Sequence, residues 1–339
     1  MLFEPRPAYR FVRSPQAFVN FALKAEPKNP VSVEALDADG AVIRKLEMKG
    51  HAGINRMSWD LRHEPPRLVA LRTVAPANPH IWEEPRFRDA DSRSITHWGT
   101  ESAALGPIVA PGQYSVRLTV DGQSYTQPLS VVRDPRGPGS EADLALSVKT
   151  QLRIREDISH ASDTANQIEW LRKQLEVYAT MLRPARTHEK EKAPLAEDGD
   201  EYDPEPSVAP PRAPDAAEAR LRAALLQAAD DLDKKLKAIE RRLVSQALQN
   251  SDDKYFVEPY GVFLNLVWLN AEVGTGGGDV AGSADFAPTD AQLESLARYE
   301  SEMASVESDY RAVATGDLAS FNHLLETSNV APLASVGAH

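Results

Sequence analysis

The side chains that could do chemistry gather in one stretch, 59–98. His63, His80 and His97 stand there with Glu83, Glu84, Asp89 and Asp91. Imidazole and carboxylate together are ordinary ligands for a divalent metal. Their spacing contains no His-x-x-x-His pair, so it does not place a ligand set on one helix face, and structural packing with hydrogen-bonded histidines is the plainer expectation. Trp59-Asp60 has the form of a sugar-stacking ring beside an acid. Trp59 also ends an alternating run, so it is expected as a core anchor, with Asp60 capping the turn that follows. Glycoside hydrolysis needs two carboxylates held at a defined separation, and among 50 Asp and Glu nothing in the sequence singles out a pair. Asp60 and His63 lack the G-x-S-x-G elbow that would supply a nucleophilic serine. The glycine-rich 274–278 has no Gly-Lys-Ser/Thr ending and follows a helical pattern, so it reads as a connector and not as a phosphate loop. The acidic run 195–205 reads as a solvated tether more readily than as a calcium loop. The chain has no cysteine, which excludes disulfides and thiolate chemistry.

Most of these residues fall in an insert, 64–107, between two runs of strand pattern. A loop of that length in a compact domain is functional, packed on a neighbour, or disordered. Pro76, Pro79 and Pro85 reduce the entropy lost on ordering it. Trp82, Phe87 and Trp98 supply apolar area that a solvated loop does not need. Arg86, Arg88 and Arg93 are interleaved with Glu83, Glu84, Asp89 and Asp91. Tryptophan and arginine are also enriched among interface hot spots. Residues 76–100 of the insert are therefore expected to be ordered and to present a contact surface made of His80, Trp82, Glu83, Glu84, Arg86, Phe87, His97 and Trp98. The competing expectation is that both tryptophans only cover the neighbouring structure.

The elements around the insert are legible from period and punctuation. In 111–136, Tyr114, Val116, Leu118 and Val120 alternate with polar residues, as in a half-buried strand. Asp121-Gly122 is a type I′ hairpin signal. The return strand carries Pro128, which cannot donate to a ladder and marks an edge or a bulge. Further strands are expected at 19–23, 31–35, 41–48 and 55–59, after an extended lead-in over 1–15 without period. Together, 16–136 reads as an immunoglobulin-like β-sandwich. Ser140 with Asp143 opens a long helix, 140–183, of about 65 Å. Seven prolines and eight acidic residues in 184–214 point to a disordered linker. Over 215–330 the remaining helices begin at Asp215, near Pro259, at Pro288 and at Asp317, with Gly316 ending the one before it. The stretch 259–273 is apolar on most sides and is expected to be the most buried. The whole is a multidomain β + α chain, with the sandwich followed by a mainly antiparallel four-helix bundle.

A net charge of −12 with no isolated Lys/Arg cluster argues against nucleic acid. No apolar run is long enough to span a bilayer, and residues 1–25 lack a signal-peptide pattern.

Four segments carry a resemblance: 36–66 (LDADGAVIRKLEMKGHAGINRMSWDLRHEPP), 106–136 (GPIVAPGQYSVRLTVDGQSYTQPLSVVRDPR), 287–294 (APTDAQLE) and 317–325 (DLASFNHLL). They resemble the C-terminal region of large bacterial β-propeller proteins of the sortilin/BNR-repeat type, often labelled glycosyl hydrolases. The G-x-N-x-x-x-W-D and P-G-x-Y patterns also recur in flagellar-hook-capping-like immunoglobulin folds. The resemblance implies an exported bacterial parent, in which a propeller preceding this region holds any active site. No propeller blade motif or repeat occurs here. The expectation is a non-catalytic accessory module, with no cofactor and no metal, that packs against a β-propeller or another protein, glycan-linked or not. The alternatives are a glycosidase-related enzyme, or a small-ligand or metal-binding module, using the insert 64–107.

Overall fold

The computed structural model describes residues 1–12, 14–76, 78, 80–85, 87–95, 104–183, 215–249, 257–276, 280, 282 and 285–334. The expected linker 184–214 lies outside the described residues.

Among the described residues there are seven strands, β1 (Ala8–Arg10), β2 (Ala17–Leu23), β3 (Val31–Leu36), β4 (Val42–Met48), β5 (Gly53–Trp59), β6 (Gly112–Val120) and β7 (Gln123–Arg133), and all but β1 stand on the period-two runs. Five make a mixed sheet in the order β1-β7-β6-β3-β4, and β2 pairs with β5 in a second sheet. Register follows the hairpin chemistry. Asp121 and Gly122 both take positive φ, 46° and 84°, and bring Val120 opposite Gln123. Pro128 is tolerated because β1 covers only 131–133 of β7, which leaves the outer side of residue 128 without a strand neighbour. The inward side chains of both sheets, among them Val19, Phe21, Val31, Val33, Trp59, Val116, Leu118 and Leu129, share one apolar core.

The lead-in is not featureless. β1 runs parallel to β7, and Leu2 bridges Phe21 on β2. Arg10 explains why no hydrophobic period marks β1. It is buried because Nε donates to the Val109 carbonyl at 2.9 Å and Nη1 to the Asp285 carboxylate.

The helices are α1 (Glu141–Leu182), α2 (Ala216–Leu243), α3 (Val262–Val273), α4 (Asp290–Val313) and α5 (Ala319–Thr327). Capping boxes at Ser140/Asp143, Asp215/Glu218 and Thr289/Gln292 start α1, α2 and α4. α3 is buried nearly all round, as its composition requires. One boundary differs from expectation. Gly316 does not end a helix: 314–318 is a π-helical turn that carries α4 directly into α5. The extra residue turns Asp317 toward Lys235 on α2 and leaves Leu318, Phe321 and Leu325 facing the core. α1 packs against α2, α3 and α4, and their apolar stripes form a second core.

Candidate functional site

The insert is where the two cores meet, and its first arm is built into the helices. Val69, Leu71, Thr73 and Ala75 are buried in strict alternation, so 67–75 is an extended strap. It lies along α1 rather than in a sheet, and side chains of α1 satisfy its backbone. Ser159 Oγ accepts from Arg67 N at 3.2 Å, and Ser162 Oγ donates to the Arg67 carbonyl at 2.8 Å. Asn166 brackets the chain, donating to the Leu68 carbonyl at 3.1 Å and accepting from Ala70 N at 2.7 Å. Glu169 accepts from Arg72 N and from Thr73 N and Oγ1, the last two at 2.8 and 2.7 Å. Glu176 accepts from Val74 N at 3.0 Å. Ser159, Ser162, Asn166, Glu169 and Glu176 fall on one side of α1 by i, i+3/i+4 spacing. The lengths also agree: 67 to 74 spans about 23 Å extended, and 159 to 176 advances about 25 Å as helix.

Beneath the strap is a buried charged cluster. Arg172 on α1 donates to Glu169 at 3.0 Å, to Asp233 on α2 at 2.9 Å and to Glu240 on α2. Glu169 and Glu240 are both fully buried. Arg93, on the returning arm, exchanges backbone bonds with Leu71 at 2.9 and 3.0 Å, and its side chain donates to Gln249 Oε1 at 2.9 Å and to the Thr73 carbonyl. Burial and the neighbouring Glu169 charge push the Glu240 carboxyl far above the usual range. Burial also opposes ionisation of Glu169, but bonds from Glu240, Arg172 and Thr73 outweigh it and hold that carboxyl low. The same desolvated site thus drives the two carboxyls in opposite directions. This carboxyl pair is closed to solvent, so no substrate reaches it. Sequence reasoning missed both the strap and the pair. The alternation Val69-Leu71-Thr73-Ala75 could have revealed the strap.

Beyond the strap, the insert turns back over α1. Ile81 is the buried anchor of a 3-10 turn, Ile81–Glu83. Trp82 meets Phe87 edge-on at 6.3 Å, and the Lys173 ammonium of α1 lies 5.8 Å from the Trp82 ring. His80 pairs with Glu83 at 2.9 Å on the open surface, with side chains 74% and 76% exposed. Glu84 accepts from Asn78 at 2.9 Å. Five of the eight expected contact residues, His80, Trp82, Glu83, Glu84 and Phe87, thus share one turn. Arg86, His97 and Trp98 lie outside the described residues. No group of three His, Asp or Glu among the described residues is placed to hold a metal ion.

His63 is half-buried at the root of the insert, where desolvation and the charge of Arg155 lower its pKa to about 4. Trp59 is buried between the sheets, with Nε1 donating to the Arg62 carbonyl at 2.9 Å and its ring edge-on to Tyr114. No face of it is free for a sugar. Asp60 Oδ1 accepts from Arg62 N at 3.2 Å and caps the turn, as its position suggested. A groove of about 540 Å³ opens beside the strap end, lined by Val74, Lys173, Glu176, Met181, Asp230 and Asp233. The chain matches no protein-family model, no curated protein and no solved structure.

Proposed function

We propose that this chain is a non-catalytic accessory module that docks on another protein through the outer turn of the insert, 80–91. In this reading the two sheets are an immunoglobulin-like sandwich, the helices a mainly antiparallel four-helix bundle, and the partner a β-propeller of the sortilin/BNR-repeat type. The observation that supports it is the mounting of the turn. The run of hydrogen bonds from the strap, 67–74, to α1 would be an excessive anchor for a loop that only covers a core. They hold Trp82, His80 and Glu83 on a rigid base. Preorganisation of that kind reduces the entropy cost of binding. The acids of the insert that a glycosidase would need are engaged locally, Glu83 with His80 and Glu84 with Asn78.

The test is binding of the purified chain to an isolated BNR-type propeller domain, followed by analytical ultracentrifugation. A stoichiometric complex, lost in a His80→Ala/Glu83→Ala/Arg88→Ala variant of unchanged melting temperature, supports the reading. No complex, or one indifferent to these changes, removes it. Turnover of aryl glycosides, abolished by Glu83→Gln or Glu84→Gln, would favour the enzymatic alternative instead.

A further inference from the structure

The Glu169–Glu240 pair has a property that docking of the outer turn does not use. Both carboxyls are fully buried and both bond the same Arg172 Nη1. Glu240 Oε1 is buried and, among the described residues, meets no N–H or O–H donor. The Glu169 carboxyl lies beside it, since both acids bond the same guanidinium nitrogen. Two acceptors attract only if one of them carries a proton.

The charge count points the same way. The titratable groups facing the pair are Arg172, Lys173 and Glu176 from α1, Asp233 from α2, and Arg93 from the returning arm. Lys173 pairs with Glu176 at 3.2 Å and cancels it. Arg172 and Arg93 then balance Glu169 and the partly exposed Asp233, and among the described residues no further cation bonds Glu240. Arg72 stands over the Trp170 ring on the outer side and adds none to the interior.

We propose that a single proton shared by Glu169 and Glu240 locks the strap to α1 and α2, and that its loss at alkaline pH releases the strap. Thr73 gives the coupling a direct route. Its N–H and hydroxyl both donate to Glu169, and Arg93, which bonds the Thr73 carbonyl, lies in the same field. A second full charge on Glu240 would draw Arg172 away from Glu169 and put two carboxylates in contact, leaving the strap amides bonded to an unbalanced site. The device is independent of which partner the outer turn binds.

Hydrogen exchange of the full chain from pH 6 to 10, corrected for intrinsic rates, tests this at the amides of Ala70, Thr73 and Val74. Val33 and Leu118 in the sheet report global unfolding. Protection of the strap should fall by up to about tenfold per pH unit once the proton is lost, the slope for one linked proton, while the sheet stays protected. Glu240→Gln keeps a neutral donor in place and should hold strap protection flat across the range. Equal pH dependence in the two proteins overturns the proposal, as does a flat profile in the wild type. If Glu240→Gln does not fold, infrared spectroscopy of the wild type with 13C-labelled glutamate decides. A protonated glutamic acid carbonyl band at pH 7 is expected, and its absence overturns the proposal.

Discussion

Between the two sheets, Trp59, Phe21, Val31, Leu118 and Leu129 meet as hydrocarbon and rings. Where the strap crosses α1 and α2, Glu169, Glu240, Arg172 and Arg93 are buried together. The first arrangement is held by area removed from water and tolerates any residue of suitable volume. The second gains little net stability from its charges, because desolvation offsets their attraction. It gains a requirement for one arrangement: each carboxylate and guanidinium must find its own partners, or a charge is stranded. The strap needs that, because an extended segment lying on a helix has no ladder to set its register. The helix-borne oxygens and amides set it instead.

The contrast can be broken most directly at Trp59. Trp59→Ala should cost about 4 kcal/mol through the cavity it leaves, measured by urea denaturation, with the same loss at pH 6 and pH 9. If the variant keeps its stability, the sheet core is not held by this ring. Arg172→Met should cost about 3 kcal/mol by leaving the acids without their cation. Unlike the first, that loss should grow as pH rises, because an ionising Glu240 no longer has a guanidinium. A pH-independent loss would place Arg172 in the same class as Trp59. Gly106→Ala tests the seam between the two regions. A Cβ there would lie 2.0 Å from the His63 carbonyl oxygen. The expected cost is about 2 kcal/mol, seen as a lower denaturation midpoint.

Two titrations of opposite sign sharpen the contrast further. His63 has a folded pKa of about 4 against 6.5 for the free side chain. The unfolded chain thus binds the extra proton between those values, and stability contributed by neutral His63 is lost as pH falls from 6.5 to 4. His63→Gln should flatten that acid limb in a series of melts. Asp157, where α1 meets α4, is raised to about 6 by burial and by Glu300. Here the folded chain holds the extra proton, and stability falls as pH rises from 3.8 to 6. Asp157→Asn should remove that fall and raise the melting temperature slightly at pH 7–8. This is the smallest effect of the five, because the group is only half-buried. A lower melting temperature at pH 8 would contradict it.

Each of these sites reads differently in the sequence. The hairpin at Asp121-Gly122, the boxes at Ser140 and Asp215, the alternation that buries Trp59 and the apolar girth of α3 depend on neighbours within a few residues, and all are legible there. The strap was missed although Val69, Leu71, Thr73 and Ala75 alternate, because the period that marks a strand here marks a segment laid on a helix. β1 was not legible, because its inward residue is Arg10, whose partners Val109 and Asp285 are remote in the chain. The helical continuity through Gly316 was not either, because a glycine that stops one helix can sit within another when the turn widens.

The sequence by itself therefore determined most of the elements, their caps and the faces they bury, since those follow from backbone sterics and local spacing. Only the tertiary structure decided which polar groups share the interior. Thr73, Arg93, Glu169, Arg172, Asp233 and Glu240 come from four separate segments, and each alone reads as an ordinary surface residue. Whether a carboxyl is solvated, paired or protonated depends on the charges within a few ångströms of it in space, and local sequence does not specify those distances.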